Sequence, residues 1–435
     1  MRKFVIILMD TGLFYASLLA MLRIRYDMEF AQQYQLHLIP FGIIAILWFI
    51  IFYIANLYDP QTFRNTIHFY SALFQAVAVS AVFSITFFYL IPALGITPKT
   101  NLFIFIIIFT GLEILGRWLF NGIVETRFRK RTIIVGTSDQ SREVAEFIKR
   151  HPQLGYELKE VIDPGTIRTL DDIVRRHIDV IVIGPEAYQM PEIIDAFYHA
   201  LARNITFYNL STFYERLTGR VPLGAINQVW FLENISESSK RAYEFTKHIF
   251  DLVFGVVFAL LSLIVYPFIA CAIKLSSPGP LFYTQTRIGR LGAPFRIIKF
   301  RTMIPDAEAK TGAMWANEND NRITGVGRFL RRTRLDELPQ LWNIIRGEMS
   351  LVGPRAERPE FHEMLKKEVP FYEERYLIKP GLSGWAQINF RYGSSVNDSA
   401  EKLQYDLYYI KNRSLVLDLG IVLKTIRIAL AQSGK

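Results

Sequence analysis

Apolar residues are concentrated in the first part of the chain, in four runs at roughly 4–22, 38–57, 68–92 and 102–120. Each run approaches the ~20 residues that a helix needs to cross the hydrocarbon core of a bilayer. A cluster of basic residues follows the fourth run, at 127–131. Because such clusters are retained on the cytoplasmic side, the pattern predicts an N-terminal four-helix transmembrane bundle over 1–125, with both of its ends in the cytoplasm.

From Thr132 the pattern changes to short apolar strands that alternate with helical stretches. The predicted strands are TIIVG, YELKEVID, VIVIG and ITFYNL, with helices around 170–177 and 191–203. This alternation predicts a parallel, Rossmann-like (CoA-binding-like) α/β module over 131–235. A dinucleotide fingerprint would repeat glycines in the first turn, but that turn, GTSDQ, holds only Gly136. Regulation or assembly is therefore the predicted role of the module, and cofactor binding is the alternative.

A fifth apolar run at 252–273 carries no charge and is flanked by basic residues on both sides. Lys247 precedes it and Lys274 follows it, so both flanks are predicted to be cytoplasmic. Pro267 lies within the run and removes a backbone donor, which favours a kink. We therefore predict a re-entrant membrane helix over about 248–274 with Pro267 as its break; a fifth full crossing is the alternative.

Composition agrees with this picture. Hydrophobic residues make up 51% and aromatic residues 14% of the 435 residues, as expected of a chain with membrane segments. The formal net charge of +10 suits contact with an anionic leaflet or with anionic substrates. Nucleic acid is not predicted as a partner, because the basic residues lie mostly beside apolar segments. The single cysteine, Cys271, excludes an intramolecular disulfide and a cysteine-based metal cluster.

The segment RRTRLDELPQLWN at 331–343 carries the candidate chemistry. It places Asp336 and Glu337 side by side, directly after three arginines. Guanidinium groups beside a carboxylate favour its ionised form, and Pro339 fits the first turn of a helix. An ionised carboxylate next to a second one suits phosphoryl transfer. Taken alone, the segment is better explained as an aspartate N-cap with a glutamate in the first turn and a solvated basic face.

The surrounding motifs decide between these interpretations. In order they are SSPGPLFYTQTRIGRLG (276–292), FRIIKFRTM (295–303), RITGVGRFLRRTRLDELPQLWN (322–343), GEMSLVGPRAERPEF (347–361), KPGLSGWAQIN (379–389) and KLQYDLYYIKNRS (402–414). In this order and spacing they resemble the bacterial sugar transferase family, the monotopic phosphoglycosyl transferases. The whole chain is similar to its large members, the undecaprenyl-phosphate hexose-1-phosphate transferases of exopolysaccharide or O-antigen biosynthesis, including those found with exosortase systems. One departure is Ala356, where relatives commonly carry proline.

The resemblance implies a mainly helical catalytic domain over 239–435 at the cytoplasmic face of the bacterial inner membrane. A UDP-sugar, UDP-glucose or UDP-galactose above all, would donate its sugar 1-phosphate to undecaprenyl phosphate and release UMP. Asp336 matches the nucleophile that carries the phosphosugar covalently. Glu337 matches the partner carboxylate, which would hold Mg²⁺ (or Mn²⁺) or deprotonate the lipid phosphate. A homodimer is expected. A membrane-anchored nucleotide-binding sensor or scaffold is the alternative function.

A carboxylate that approaches an anionic diphosphate needs cations around it, and arginine can chelate phosphate oxygens in a bidentate manner. The candidate phosphate ligands are Arg287, Lys299, Arg301, Arg331, Arg332 and Arg355. Arg301 and Arg355 rank highest because they sit in the tight motifs KFRTM and VGPRAE. Arg331 and Arg332 have leaflet contacts as an alternative. Gln387 is a candidate contact for the uridine or the sugar, with loop packing as its alternative.

Overall fold

The structure is a computed structural model that describes residues 2–91, 98–126, 129–166, 178–201, 204–235, 240–305, 307, 320–390, 393 and 395–430. The chain divides into two compact units, Met1–Phe213 and Tyr214–Lys435. The first holds the N-terminal apolar helices and the α/β module. The second holds the fifth apolar run and the candidate site.

The four predicted apolar runs are confirmed as helices. They are α1 (Arg2–Tyr26), α2 (Phe30–Ile54), α3 (Ile67–Leu90) and α4 (Pro98–Thr126). Each contains a stretch long and apolar enough to cross a membrane, so the protein is membrane-anchored. Helix α2 begins at Phe30, before the predicted start at 38. The added residues include three glutamines, which have good helix propensity and therefore extend the helix although they are polar.

A mainly aromatic core joins these helices. Phe14 of α1, Trp48 of α2 and Phe105 of α4 are fully buried together, and the Trp48 indole donates a hydrogen bond of 2.8 Å to Ser84 of α3. Arg117 of α4 is also fully buried, and its guanidinium lies 2.6 Å from Asp10. Pairing and hydrogen bonding offset the high cost of placing charge in a membrane interior, so Asp10 is part of the helix packing.

The predicted parallel α/β module is also confirmed. Its elements are β1 (Lys130–Val135), α5 (Asp139–Arg150), β2 (Tyr156–Ile162), β3 (Val180–Ile183), α6 (Pro191–His199) and β4 (Thr206–Asn209). The strands pair in the order β2-β1-β3-β4, and every pairing is parallel. The helix predicted around 170–177 lies outside the described residues.

Helices predominate in the second unit. They are α7 (Leu210–Thr218), which begins just before the unit, α8 (Gln228–Asn234), α9 (Arg241–Leu263), α10 (Tyr266–Ser276), α11 (Gly325–Arg332), α12 (Leu341–Ile345), α13 (Pro359–Glu368), α14 (Trp385–Asn389), α15 (Val396–Asn412) and α16 (Leu415–Leu430). Two small sheets complete it. One is the antiparallel hairpin β5 (Phe282–Ile288) and β6 (Pro294–Phe300), and the other is the parallel pair β7 (Ser350–Val352) and β8 (Gly381–Ser383).

The core of this unit forms around α15, where Leu407, Tyr409 and Ile410 are buried. Val221 and Ile226 lie in the same core, although the sequence pattern groups them with the α/β module. Their burial explains why the compact unit begins at Tyr214.

The fifth apolar run is divided into two helices. Helix α9 ends at Leu263 and α10 begins at Tyr266, with Pro267 in its first turn. In a continuous helix the nitrogen of Pro267 would face the carbonyl of Leu263, and proline has no hydrogen to donate there. The turn between the helices is closed by short-range bonds, such as Val265 N–H to Ser262 O at 2.9 Å. The break therefore lies immediately before the predicted proline.

Candidate active site

The carboxylate pair lies in a tight turn between two helices. Thr324 caps α11 by accepting a hydrogen bond of 2.9 Å from the N–H of Gly327. After α11, Arg334 takes the left-handed conformation at φ 60°, and a 3₁₀ helix, Leu335–Gln340, leads into α12. Asp336 and Glu337 are both in this 3₁₀ helix, and both are buried. Asp336 is therefore not the N-cap of a helix, and Pro339 lies before α12 and not in its first turn.

Glu337 is held by three cations. Its Oε1 accepts hydrogen bonds from Lys299 Nζ at 3.1 Å and from Arg355 Nη2 at 2.8 Å. Its Oε2 lies 3.6 Å from Arg334 Nη1. Burial alone would raise the pKa of Glu337, but Lys299, Arg355 and Arg334 together hold it well below its usual value. Glu337 is therefore an ionised carboxylate at the centre of a positive cluster.

Asp336 lies in a different electrostatic environment. Its Oδ1 is buried and has no hydrogen-bond partner among the residues that the structure describes. Burial, and next the negative charge of Glu337, raise the pKa of Asp336 to about 6. The neighbouring arginines favour the ionised form, as expected, because Arg331 and Arg334 lower the pKa of Asp336, but burial and Glu337 outweigh them. Lys299 and Arg355 bond to the neighbouring glutamate, and the arginine charges near Asp336 offset its burial only in part.

The structure brings two of the predicted phosphate ligands, Lys299 and Arg355, to the carboxylate pair. Arg287 instead supports the loop that carries Arg355. Its guanidinium donates to the carbonyl of Ala356 at 3.1 Å and lies 3.9 Å from Glu357. Burial lowers the pKa of Arg287. Arg287 thus contacts the two residues that follow Arg355, and its described contacts do not include the carboxylate pair.

Arg301, which the sequence ranks with Arg355, binds backbone. Its two terminal nitrogens donate to the carbonyls of Pro278 at 2.6 Å and Ser277 at 2.8 Å. Gly279 has a φ of 119°, and a Cβ there would collide with this guanidinium. Arg301 therefore holds the turn that leads from α10 into β5, and the SPGP motif needs its glycine for that contact.

The remaining candidates differ in their placement. The Arg331 Nε donates to Thr302 Oγ1 at 2.9 Å, and its charge lowers the pKa of Asp336 in part. Arg332 is exposed on α11. Gln387 lies on α14, and its Oε1 is buried without a hydrogen-bond partner among the described residues. None of the contacts described for Gln387 joins it to the carboxylate pair.

Sequence reasoning left Arg334 out of the candidate phosphate ligands. It is the third arginine of RRTR, but its left-handed backbone turns the chain and brings its side chain onto Glu337. The RRTR spacing alone does not distinguish it from Arg332, which points to solvent.

The segment 308–319, between β6 and α11, lies outside the described residues.

The predicted metal fits only part of this arrangement. The described residues hold no group of three acidic, histidine or cysteine side chains able to share a metal ion. The Glu337 oxygens already face three cations, so Mg²⁺ would have to share this carboxylate with them. The buried, unpartnered Oδ1 of Asp336 is the kind of oxygen ligand that Mg²⁺ prefers. The residues present could thus supply one oxygen, and phosphate oxygens of a substrate would supply others.

Comparison with known proteins places these residues in a family. The sequence model of the bacterial sugar transferases matches residues 242–432, which include every residue of the site. The chain is 40% identical over 233 residues to the UDP-N-acetylgalactosamine-undecaprenyl-phosphate N-acetylgalactosaminephosphotransferase of Aeromonas hydrophila, covering 53% of this chain and 54% of that protein. It is 30% identical over 316 residues to the undecaprenyl-phosphate glucose phosphotransferase of Komagataeibacter xylinus, covering 69% of this chain and 59% of that protein.

A third relative is a shorter protein. The chain is 39% identical over 208 residues to the UDP-glucose:undecaprenyl-phosphate glucose-1-phosphate transferase of Caulobacter vibrioides, and the match covers 47% of this chain but 78% of that protein. The chain therefore belongs to the bacterial sugar transferase family. It spans about half of the length of the Aeromonas and Komagataeibacter relatives, 54% and 59%.

Proposed function

We propose that the protein transfers a sugar 1-phosphate from a UDP-sugar to undecaprenyl phosphate, which releases UMP and forms an undecaprenyl-diphosphate sugar. The observation that carries this proposal is the buried Asp336 carboxylate, with its unpartnered Oδ1, beside a glutamate held by three cations. Relatives with matching sequence are named for this reaction, with glucose or N-acetylgalactosamine as the sugar. Glucose and galactose are our leading candidates.

In the first step the Asp336 carboxylate would attack the β-phosphorus of the donor. The bond from that phosphorus to the bridging oxygen breaks, UMP leaves, and the sugar phosphate stays on Asp336 as an acyl phosphate. In the second step the lipid phosphate attacks the same phosphorus and Asp336 leaves as a carboxylate. A covalent intermediate divides one difficult transfer into two displacements, so the two bulky anions need not react while both are bound.

The chain's cations serve this chemistry by charge. Lys299, Arg334 and Arg355 surround the carboxylate pair and would attract the diphosphate as it approaches. Because Glu337 holds them in place before substrate arrives, they need no reorganisation in the transition state. We assign to Glu337 this organising role. We keep Mg²⁺ as a proposed cofactor, with Glu337 and the donor's phosphate oxygens as its proposed ligands; when bound it would neutralise charge on the donor's diphosphate.

The test is UMP release by the purified full chain across a panel of UDP-sugars, with undecaprenyl phosphate as acceptor. We expect release with one or two of the donors, and none above background when undecaprenol replaces the lipid phosphate in multiple-turnover assays. Absence of UMP with every donor, combined with tight binding of UDP-sugar or UMP, would contradict the enzyme and support a nucleotide-binding sensor.

The pH dependence of UMP release follows from the pKa of Asp336. The nucleophile is the carboxylate, and its pKa is raised to about 6, so protonation inactivates the free enzyme below that pH. We expect kcat/KM for the UDP-sugar to be level above about pH 7 and to fall about tenfold per pH unit well below 6. Thermal unfolding at each pH controls for loss of the fold. A level profile down to about pH 5 would exclude Asp336 as the titrating nucleophile.

We further propose that helices α9 and α10 enter and leave the cytoplasmic leaflet of the bacterial inner membrane on the same side. The helix break before Pro267 supports this, together with the basic flanks. It would keep the catalytic unit in the cytoplasm, where UDP-sugars occur, and set the site near the lipid headgroups.

Single-cysteine labelling tests this topology. In a Cys271→Ser background, Arg241→Cys and Ser276→Cys place thiols at exposed positions on the two flanks. An impermeant maleimide should label both in inverted vesicles and neither in right-side-out vesicles. Opposite labelling of the two flanks would mean a full crossing. Pro267→Leu removes the obstacle to a continuous helix and should lower UMP release at an unchanged level of membrane insertion.

For the α/β module we propose regulation or assembly, and for the whole protein a homodimer. The family model matches residues 242–432, which do not include the module, and this supports a catalytic region that does not need the module for chemistry. Mass photometry of the full chain in nanodiscs measures the oligomeric state directly. A monomer at all accessible concentrations would contradict the dimer.

A further inference from the structure

Arg355 depends on a loop without regular structure. The GPRAER loop, residues 353–358, connects β7 to α13, and the side chain of Arg355 reaches from it to Glu337. An irregular loop of this length fixes a side chain only if its backbone groups are bonded elsewhere. What holds this backbone therefore decides where the Arg355 guanidinium lies.

Four successive carbonyls of the loop accept hydrogen bonds from outside it. The first is that of Pro354, which accepts from the N–H of Gly381 at 2.9 Å. Arg375 Nη2 donates to the carbonyl of Arg355 at 3.2 Å, and Arg287 Nη1 donates to that of Ala356 at 3.1 Å. The N–H of Ile288 donates to that of Glu357 at 2.9 Å. Arg375 is thus the side chain that donates a hydrogen bond to the backbone of Arg355, one of the two arginines that face Glu337.

Arg375 is itself held in one orientation. It lies on the 3₁₀ helix Tyr372–Leu377 and is 5% exposed. Its Nη2 also donates to Asp406 Oδ2 at 2.9 Å, and its Nη1 donates to the Tyr372 hydroxyl. Asp406 is buried on α15, inside the motif KLQYDLYYIKNRS. A planar guanidinium with partners on both terminal nitrogens has little freedom to turn, so it can fix the backbone that it touches.

The charge of this cluster is nearly balanced within it. Arg375 lies 2.9 Å from Asp406 and 3.8 Å from Glu357, and Arg287 lies 3.9 Å from Glu357. A buried ion pair of this kind contributes little net stability compared with apolar packing. The hydrogen bonds and ion pairs described for Arg375 join it to Tyr372, Arg355, Asp406 and Glu357, and not to Asp336 or Glu337. Its geometric effect on the site therefore passes through the backbone of Arg355.

We propose that Arg375, oriented by Asp406, is a positioning residue for the transfer reaction: it fixes the backbone of Arg355 so that the Arg355 guanidinium meets Glu337 and the donor's diphosphate. The proposal rests on the proposed function. It assigns a role to two residues that lie far from Asp336 in the sequence. They act on the site only through the fold, since Asp406 reaches Arg375 from a different helix.

A double-mutant cycle in the full chain tests this role, because residues that act through one another have non-additive effects. Arg375→Lys keeps the charge beside Asp406 but cannot bond both partners in the same geometry. We expect kcat/KM for the UDP-sugar to fall by about 10- to 100-fold, since small displacements of a positioning group are costly. In an Arg355→Ala background the same change should cost less than about threefold, because its target is gone.

Two further variants complete the design. Asp406→Asn keeps the side-chain volume and should reproduce the effect and its dependence on Arg355. Arg413→Lys is the matched control: Arg413 is also a buried arginine, and its described ion pair with Glu244 at 3.1 Å and hydrogen bond to the carbonyl of Ile410 at 3.5 Å lie outside the loop. Its effect should be the same in both backgrounds. Thermal unfolding reports on the fold of each variant.

Equal fold-losses for Arg375→Lys in the two backgrounds would overturn the positioning role and leave a structural one. So would wild-type kcat/KM in both Arg375→Lys and Asp406→Asn. If the wild-type chain releases no UMP with any donor, the proposed function itself fails, and this result is distinct because it precedes any variant.

Discussion

Asp336→Asn is expected to reduce UMP release to background, a loss of at least about 10³-fold. Asparagine keeps the shape of the side chain but removes the charged oxygen that would attack phosphorus. The decisive measurement is mass spectrometry after incubation with the UDP-sugar and without lipid acceptor. In the wild type a hexose-phosphate adduct should appear on the peptide that contains Asp336, and in the variant it should not.

The same substitution should stabilise the fold at neutral and alkaline pH. The pKa of Asp336 in the folded protein is about 6, raised from 3.8, so its ionisation opposes folding. Because the pKa is raised, the cost of ionising Asp336 to the stability of the fold is fully present above about pH 6 and disappears as the pH falls below about 4. Removing the charge should add at most about 3 kcal/mol to the free energy of unfolding at pH 8, and almost nothing near pH 4.

These two readouts separate the nucleophile from a structural residue. A variant that loses activity because it unfolds would have a lower melting temperature than the wild type. Asp336→Asn should instead have a higher melting temperature than the wild type at pH 8, and nearly the same one near pH 4. Undiminished UMP release by Asp336→Asn would rule out the covalent mechanism. So would kinetics that require both substrates before any UMP forms, together with the absence of an adduct.

Glu337→Gln should lower kcat by about 10²-fold or more. The substitution removes the carboxylate to which Lys299, Arg334 and Arg355 are paired, so the cations lose their shared anchor. Because the charge of Glu337 raises the pKa of Asp336, its loss should also move the acid limb of the pH profile below 6. The variant would then be slower but active at lower pH than the wild type.

The control is Glu363→Gln. Glu363 is also a glutamate of the catalytic unit, with a side chain 59% exposed and paired to Lys366, and exposed pairs of this kind have small effects. The UMP release of the Glu363→Gln variant should stay within about twofold of wild type. If Glu337→Gln loses activity with an unmoved acid limb, the electrostatic coupling described here is wrong. Adduct formation in Glu337→Gln would locate its defect in the second step.

The membrane helices and the parallel α/β module were predictable because their signals are local. A helix that crosses a bilayer must be apolar along its own length, and a buried strand shows its pattern within a few residues. Their ends were less predictable: α2 begins at Phe30 because polar residues with good helix propensity continue it. The packing partner of Asp10 was not predictable either, since Arg117 lies on the last of the four helices.

The sequence by itself determined the family, the adjacent carboxylates and the pool of cations, because motif order and neighbouring residues are properties of the chain. The tertiary structure alone decided how those cations are used. It placed Lys299, Arg334 and Arg355 on Glu337, and it committed Arg301 to two backbone carbonyls. It also raised the pKa of Asp336. Burial and Coulomb energy depend on distances in space, and those distances join residues that are far apart along the chain.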